Sequence, residues 1–329
     1  MKCLVTGAAG FIGSNLVDEL VSQGHKVIAV DNFIAGSKKN LQKSIKKINF
    51  KKIDITDLNK LKNSDLNKDI DWVFHLAGLA DIVPSIQNPI DYIDTNVTGT
   101  LNVLELFRKK KIKKFIYAAS ASCYGVPKKF PTTENDQIDP QHPYALSKYL
   151  GEELVMHWGK VYGMPNISLR FFNVYGPRSR TTGAYGAALG VFLAQKLNKK
   201  PLTIVGSGNQ TRDFIFIKDL VDAIIKAAKS KVTNSIFNLA SGKEQKVNDL
   251  AKLISEKRVK IPRRPGEPFR SIASISKIKK ALKWKPKINL KQGISILMKD
   301  TSNWKNAPLW TPNKIKKATK DWFKHLKFK

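Results

Sequence analysis

The chain carries 329 residues, 42% of them hydrophobic and 26% charged, and 58 lysines and arginines against 26 acids leave a formal net charge of +32. This length suits one large two-lobed unit able to bury a sizeable core, and no internal repeat, low-complexity segment or apolar run of membrane-spanning length interrupts it. Cys3 and Cys123 are too few and too separated for a disulfide framework or a metal site, so a reducing cytoplasm is the expected setting.

Met1 runs straight into a short apolar strand, Lys2-Cys3-Leu4-Val5-Thr6, which leaves no room for a signal peptide. The strand ends in Gly7-Ala8-Ala9-Gly10-Phe11-Ile12-Gly13, after which Leu16, Val17, Leu20 and Val21 recur at helical spacing. Glycines in a strand-turn-helix unit let backbone N–H groups and the positive helix end approach a pyrophosphate closely. A second apolar strand, Val27 to Val30, ends in Asp31, at the distance where an acid grips an adenosine ribose. A carboxylate accepts from two ribose hydroxyls but repels a 2′-phosphate. Asn32 follows where an arginine would pair with that phosphate, so NAD is expected rather than NADP. The GxxGxxG spacing resembles that of the extended short-chain dehydrogenase/reductases, which implies that Asp54 and Ile55, after the third strand, flank the adenine.

The next predicted strand, Trp72 to Gly78, ends in small residues that let a nicotinamide ribose lie against the backbone at Leu76 and Ala77. His75, with no evident proton partner, reads as structural. Phe115 to Ala119 forms a further strand that delivers Ser120 to the carboxyl edge of the sheet, where ligands bind in open parallel sheets. Pro143 and Tyr144 open an amphipathic helix that places Lys148 one turn on. A tyrosine with a pKa near 10 acts as a base at neutral pH only if a nearby cation stabilises its phenolate. Lys148 and an oxidised nicotinamide supply that charge, and Ser120 orients the same sugar hydroxyl while hydride leaves its carbon. Ser120, Tyr144 and Lys148 are therefore the candidate catalytic residues.

Gly7 to Gly13, Asn96 to Thr100, Ala119 to Gly125, Tyr144 to Lys148 and Arg170 to Pro177 resemble the sugar-nucleotide epimerases and dehydratases, over the chain to about residue 290. The likeness is greatest to the UDP-hexose 4-epimerases. It implies a retained NAD that takes hydride from C4 of the sugar and returns it to the other face of a rotated 4-keto ring. It further implies that Asn96 binds the cofactor and that Ser122, Asn173, Arg212, Arg264, Glu267 and Ser271 bind the substrate. Arginine forks suit a diphosphate, and a glutamate accepts from ribose hydroxyls.

Dehydratases of this fold follow their Ser or Thr with an acidic pair, and the related decarboxylases keep a Glu at the second position. Here Ala121 and Ser122 stand there, without the proton donor and acceptor that elimination across C5 and C6 requires, so epimerisation is favoured. A large Tyr at the position of Ser271 restricts the pocket to unsubstituted hexoses, whereas a small residue leaves room for a 2-acetamido group. UDP-GlcNAc and UDP-GalNAc, or their uronic acids, are the expected substrates. Two other readings stay open: a different sugar-nucleotide modifier, such as a glucuronate epimerase or decarboxylase or a 4,6-dehydratase with a relocated acid, and a dinucleotide-fold protein that holds nucleic acid. The intact Ser120, Tyr144 and Lys148 speak against the second.

The alternation of strands and helices predicts a doubly wound parallel α/β sheet of the Rossmann type from residues 1–172 and 211–240, rejoined near Asp213. A smaller, discontinuous sugar-nucleotide lobe takes 173–210 and 241–329. After Glu267 only Asp300 and Asp321 interrupt the lysines, but no nucleic-acid motif or aromatic platform accompanies the charge, which reads as a solvated lysine-rich surface. Thr311 and Pro312 start a last helix whose Ile315, Ala318, Thr319, Trp322 and Phe323 make one apolar face that docks on the body. The resemblance also implies a homodimer packed through the helix near residues 91 to 109 and the helix of Tyr144.

Overall fold

The computed structural model describes residues 1–179, 188–301, 304–305 and 307–326, so residues 180–187 of the expected second lobe and 302–303, 306 and 327–329 of the C-terminal extension lie outside the described residues. Its strands in chain order are β1 (Lys2–Thr6), β2 (Lys26–Asp31), β3 (Asn49–Lys52), β4 (Trp72–His75), β5 (Lys114–Ser120), β6 (Asn166–Phe171), β7 (Asn173–Tyr175), β8 (Leu202–Val205), β9 (Thr211–Phe216), β10 (Ser235–Leu239), β11 (Glu244–Lys246) and β12 (Arg258–Ile261). Seven of them form one wholly parallel sheet in the order β10-β6-β5-β4-β1-β2-β3.

Most of these strands are apolar on both faces, as a sheet covered by helices on both sides requires. Cys3, Val5, Val27, Ala29, Phe74, Ile116 and Ala118 join one buried layer, and Leu4, Ile28, Val30, Val73, Phe115 and Tyr117 join the other. That is the two-residue alternation of a pleated strand. Residues of helices Phe11–Ser22 and Ile217–Lys229 complete the first layer, and those of Gly99–Phe107 and Pro143–Tyr162 the second. The doubly wound α/β fold is therefore present. Its strand order reverses at β1, which has β2 on one side and β4 on the other, and a reversal of this kind opens a crevice at the carboxyl ends of the strands.

Expectation and structure part in three places. β4 ends at His75 instead of running to Gly78, which frees Leu76 to Leu79 to bend along the crevice. The return to the main sheet comes with helix Ile217–Lys229 and β10, not near Asp213, because β9 pairs with β7 and β11 in a separate sheet. Within that strand Asp213, fully buried, accepts from Ser241 N at 2.8 Å, Ser241 Oγ at 2.6 Å, Gly242 N at 3.0 Å and Ala273 N at 3.2 Å, which fixes β9 to the loops beside it. The C-terminal helix breaks at Thr319 into Pro312–Ala318 and Lys320–His325, and Phe323 is 43% exposed while Ile315 and Trp322 are buried, so there is no single apolar stripe. The Thr319 hydroxyl donates back to the Ile315 carbonyl at 2.8 Å, the side-chain competition that ends helices. Both cysteines are buried and free, and burial pushes each thiol up to about 12.

Candidate active site

The glycine turn is built by close approach. Gly7 has a φ of +68°, and a Cβ there would stand 2.6 Å from the Ala77 nitrogen. A Cβ on Gly13 would overlap the Gly7 carbonyl oxygen, so the helix packs onto its own turn only with glycine at both places. Gly10 is the N-cap of Phe11–Ser22 and offers no side chain to the first-turn amides, including those of Phe11 and Ile12, which leaves them for a phosphate. The Phe11 and Ile12 side chains pack against the core.

Asp31, at the end of β2, accepts from Ala9 N at 2.9 Å and Phe33 N at 2.7 Å, so one carboxylate braces the glycine turn and faces the crevice. Burial raises its pKa, against the backbone hydrogen bonds that lower it. Gly7, Gly10, Asp31, Asn32, Ile55, Leu76 and Ala77 line an open cleft of about 550 Å³. Bare amides at one end and a buried acid at the other fit a dinucleotide.

Two predicted cofactor residues stand behind this lining. Asp54 accepts from Asn32 Nδ2 at 2.8 Å and from Thr56 N and Oγ1 at 2.9 and 2.7 Å. Burial raises its pKa, but these hydrogen bonds outweigh burial and leave the carboxyl below its usual value. Asn96 is fully buried in a π-helical turn, Asp94–Thr98; it accepts from Leu79 N at 2.8 Å and donates to Leu79 O and Ser147 Oγ, both at 2.9 Å. Its amide ties the cleft loop to the Tyr144 helix.

At the reacting centre the Tyr144 hydroxyl donates to Ser120 Oγ at 3.1 Å, and Ser120 Oγ lies 2.8 Å from Ser122 Oγ. Lys148 is buried, with Nζ 4.3 Å from the centroid of the Tyr117 ring and 3.6 Å from where a Cβ on Gly78 would stand, at the edge of the cofactor cleft. Burial lowers Lys148 to about 7, opposed by the Glu152 carboxylate. Burial also raises Tyr144 above 10, against the Ser120 hydrogen bond that lowers it. When bound, oxidised NAD supplies the hydride acceptor and the additional positive charge beside the phenol. His75 is structural, its Nδ1 2.7 Å from Thr6 Oγ1 and its Nε2 2.9 Å from Thr100 Oγ1, and burial together with the Lys148 charge lowers it to about 3.

Two cavities adjoin Tyr144. One, of about 1070 Å³, is lined by Ser120, Ser122, Asn173, Arg212, Glu267 and Ser271 among others. The second, of about 1100 Å³, shares Tyr144, Asn173, Arg212 and Glu267 and adds Arg264. Every predicted substrate residue thus lies on one of them. Glu267 stands 2.7 Å from Arg264 and 3.6 Å from Arg212, an acid between two guanidinium groups.

Sequence reasoning missed several lining residues. His142 caps the Tyr144 helix by accepting from Ala145 N at 3.1 Å, and its ring lies 5.8 Å from that of Tyr144 at an interplanar angle of 7°. A polar residue before a proline and a helix is the signal that marked it. Burial lowers His142 to about 4, opposed by Glu267. Tyr124 rests on a buried pair: Arg170 reaches Glu152 at 2.6 Å and the Tyr124 hydroxyl at 2.7 Å, and that hydroxyl donates to Asn238 Oδ1 at 2.7 Å. Trp322 lines both cavities from the C-terminal extension.

Comparison with known proteins agrees with this geometry. A putative UDP-glucose 4-epimerase of Methanocaldococcus jannaschii is 39% identical over 92% of this chain and 97% of its own. UDP-glucuronic acid decarboxylase 4 of Arabidopsis thaliana is 35% identical over 91% of this chain and 68% of its own. The structure of a UDP-N-acetylglucosamine 4-epimerase from Methanobrevibacter ruminantium, in complex with UDP-N-acetylmuramic acid, superposes with a TM-score of 0.84 at 32% identity, over 91% of this chain and 98% of that one. The glycine turn, Asp31 and the Ser120–Tyr144 pair all fall within residues 3–240, the span that matches the NAD dependent epimerase/dehydratase family, and the chain belongs to that family, with NAD as its cofactor.

Proposed function

We propose that the protein is a UDP-hexose 4-epimerase that accepts 2-acetamido hexoses, UDP-GlcNAc and UDP-GalNAc, or the corresponding uronic acids. The observation that carries this reading is the pairing of Tyr144 with Ser120 at 3.1 Å on a cavity wall where Ala121 and Ser122 come next and no acid does. Tyr144 is placed to take the C4 hydroxyl proton and Ser120 to hold that oxygen, and NAD, when bound, would supply the acceptor for the C4 hydride. With the 4-keto sugar turned over, Tyr144 would give the proton back to the same oxygen as the cofactor would restore the hydride, with no net redox change. Nothing is eliminated, so no further acid is needed. Among the described residues Glu267 is the only carboxylate lining the Ser120 cavity, and it is paired with Arg264 and Arg212. Ser271, small and on the same wall, supports room for an acetamido group.

A second reading, decarboxylation of a uronate, is favoured by the 35% identity to the plant decarboxylase. UDP-GlcNAc, UDP-glucose and UDP-glucuronate deuterated at C4 distinguish the two. Inverted sugars that keep the label at C4 support epimerisation, and carbon dioxide released from the uronate overturns it.

A homodimer packed through the region of residues 91 to 109 and the Tyr144 helix is part of the same proposal. Ile90, Leu146 and Leu150 expose 72%, 43% and 36% of their surface there, and Leu146 and Leu150 fall one turn apart on one helix. A cytoplasmic setting suits a nucleotide-sugar enzyme, and among the described helices none is long and apolar enough to cross a membrane.

A further inference from the structure

The C-terminal extension enters the site at the place where the two cavities meet. Trp322 lines both, beside Ile82, Tyr144, Asn173, Arg212 and Glu267, and Ile315 from the preceding helix lines the second. Contacts to two separate parts of the molecule hold the indole there. Its Nε1 donates to the Pro265 carbonyl at 2.6 Å, and the Arg264 guanidinium carbon stands 5.6 Å from its ring centroid. On the other side Gln87 Nε2 donates to Asp321 Oδ2 at 2.8 Å, and Gln87 ends the helix Ile82–Gln87 whose first residue lines both cavities. Helix Lys320–His325 therefore bridges the segment that follows β4 and the loop of Arg264 and Glu267.

The indole is almost fully buried and the Pro265 carbonyl satisfies its N–H, as packing alone would require, so what marks it is the company of its remaining face. It forms the wall where Tyr144, which handles the sugar, and the Arg212 and Glu267 side chains, suited to a diphosphate and a ribose, come together. An aromatic face beside a guanidinium both orients the cation and excludes water from the anion it meets.

We propose that Trp322 is a substrate-contacting residue, forming the shared wall of the sugar and nucleotide cavities and retaining the nucleoside-diphosphate sugar through its 4-keto stage. This deepens the sugar-nucleotide reading above and rests on it. Retention matters because at that stage the sugar would lack its C4 hydride and would have passed its hydroxyl proton to Tyr144, so a sugar that escaped would leave as the ketone.

The test is calorimetric titration of the NAD-loaded protein with UDP and with UDP-GlcNAc, alongside hydrazine trapping of released ketone read by mass spectrometry. Trp322→Ala is expected to weaken UDP-GlcNAc binding by about tenfold or more, the loss typical of a buried aromatic anchor, and to release trapped ketone. Trp322→Phe should recover most of the affinity, and Asp321→Ala, which cuts the tether to Gln87 without changing the lining, should fall between. Phe323→Ser, on the exposed side of the same helix, should bind as wild type. The proposal is overturned if Trp322→Ala or Asp321→Ala binds and retains the sugar nucleotide like wild type, or if Trp322→Phe fails as badly as Trp322→Ala. A wild-type protein that binds neither ligand overturns the sugar-nucleotide reading itself, and the role of Trp322 with it.

Discussion

The Tyr144 hydroxyl and Ser120 Oγ lie 3.1 Å apart, although one belongs to the first turn of a 20-residue helix and the other to the last residue of β5. Their meeting depends on how tightly helix and sheet pack. Gly151 makes that packing possible, since a Cβ there would overlap the Tyr117 hydroxyl. Ser120 in turn receives the Ser122 amide at 3.2 Å, which fixes its rotamer toward the cavity. Ser120→Ala should lower kcat by roughly a hundredfold, within the range for positioned proton-transfer groups, with NAD content and Tm unchanged. Steady-state kinetics and the absorbance of the purified protein check this.

Lys148 should trade stability for function. Folding takes its pKa from 10.5 to about 7, so between those values the unfolded chain holds a proton that the folded chain has released. This group's contribution to stability therefore rises with pH across that window. Lys148→Met removes the buried cation: Tm near pH 7 should rise above wild type and its climb toward alkaline pH should flatten, while turnover falls. A calorimetric series from pH 6 to about 10 decides the sign.

Ser271 should set substrate breadth. Ser271→Tyr fills the cavity that it lines with Tyr124 and Ser122, and should suppress turnover of UDP-GlcNAc by roughly tenfold or more relative to UDP-glucose. Parallel kcat/KM measurements on the two sugars report it. Equal loss on both would remove Ser271 from the specificity assignment.

The Glu152–Arg170 pair should be the costliest to break near the site. Both side chains are buried, 1% and 4% exposed, and Ser168 Oγ donates to the same carboxylate at 2.6 Å. Glu152→Ala leaves Arg170 buried and unpaired by that acid, at a cost of about 3–5 kcal/mol, and loosens the Tyr124 wall that Arg170 supports. Urea denaturation measures the first effect, and a raised KM for the sugar nucleotide the second.

The parts of this molecule that were readable in the sequence are those encoded by short spacing. Gly7 to Gly13, Asp31 and the Tyr144–Lys148 turn each lie within one local unit, and the alternating strands imply a sheet covered on both faces. The proposed substrate residues Asn173, Arg212, Arg264 and Glu267 came only through family likeness, because their meeting depends on β9 and on loops distant in the chain. The same distance hid the departures. Asp213 ties β9 to neighbouring loops through Ser241, Gly242 and Ala273, partners no local pattern indicates. Nor does a local pattern indicate that the Asn96 amide joins Leu79 to Ser147. Trp322 was visible as an apolar residue, but its place beside Tyr144 rests on contacts with Gln87 through Asp321 and with Pro265, far earlier in the chain.

The most direct measurement is proton NMR of the purified protein incubated with UDP-GlcNAc and no added cofactor, beside its Tyr144→Phe variant. The expected result is inversion at C4 by the wild type, driven by NAD that the protein already holds, and none by Tyr144→Phe at equal NAD content. Inversion that persists in Tyr144→Phe, or a wild type that holds NAD and leaves UDP-GlcNAc, UDP-glucose and UDP-glucuronate unchanged, contradicts the assignment of this site as a UDP-hexose 4-epimerase.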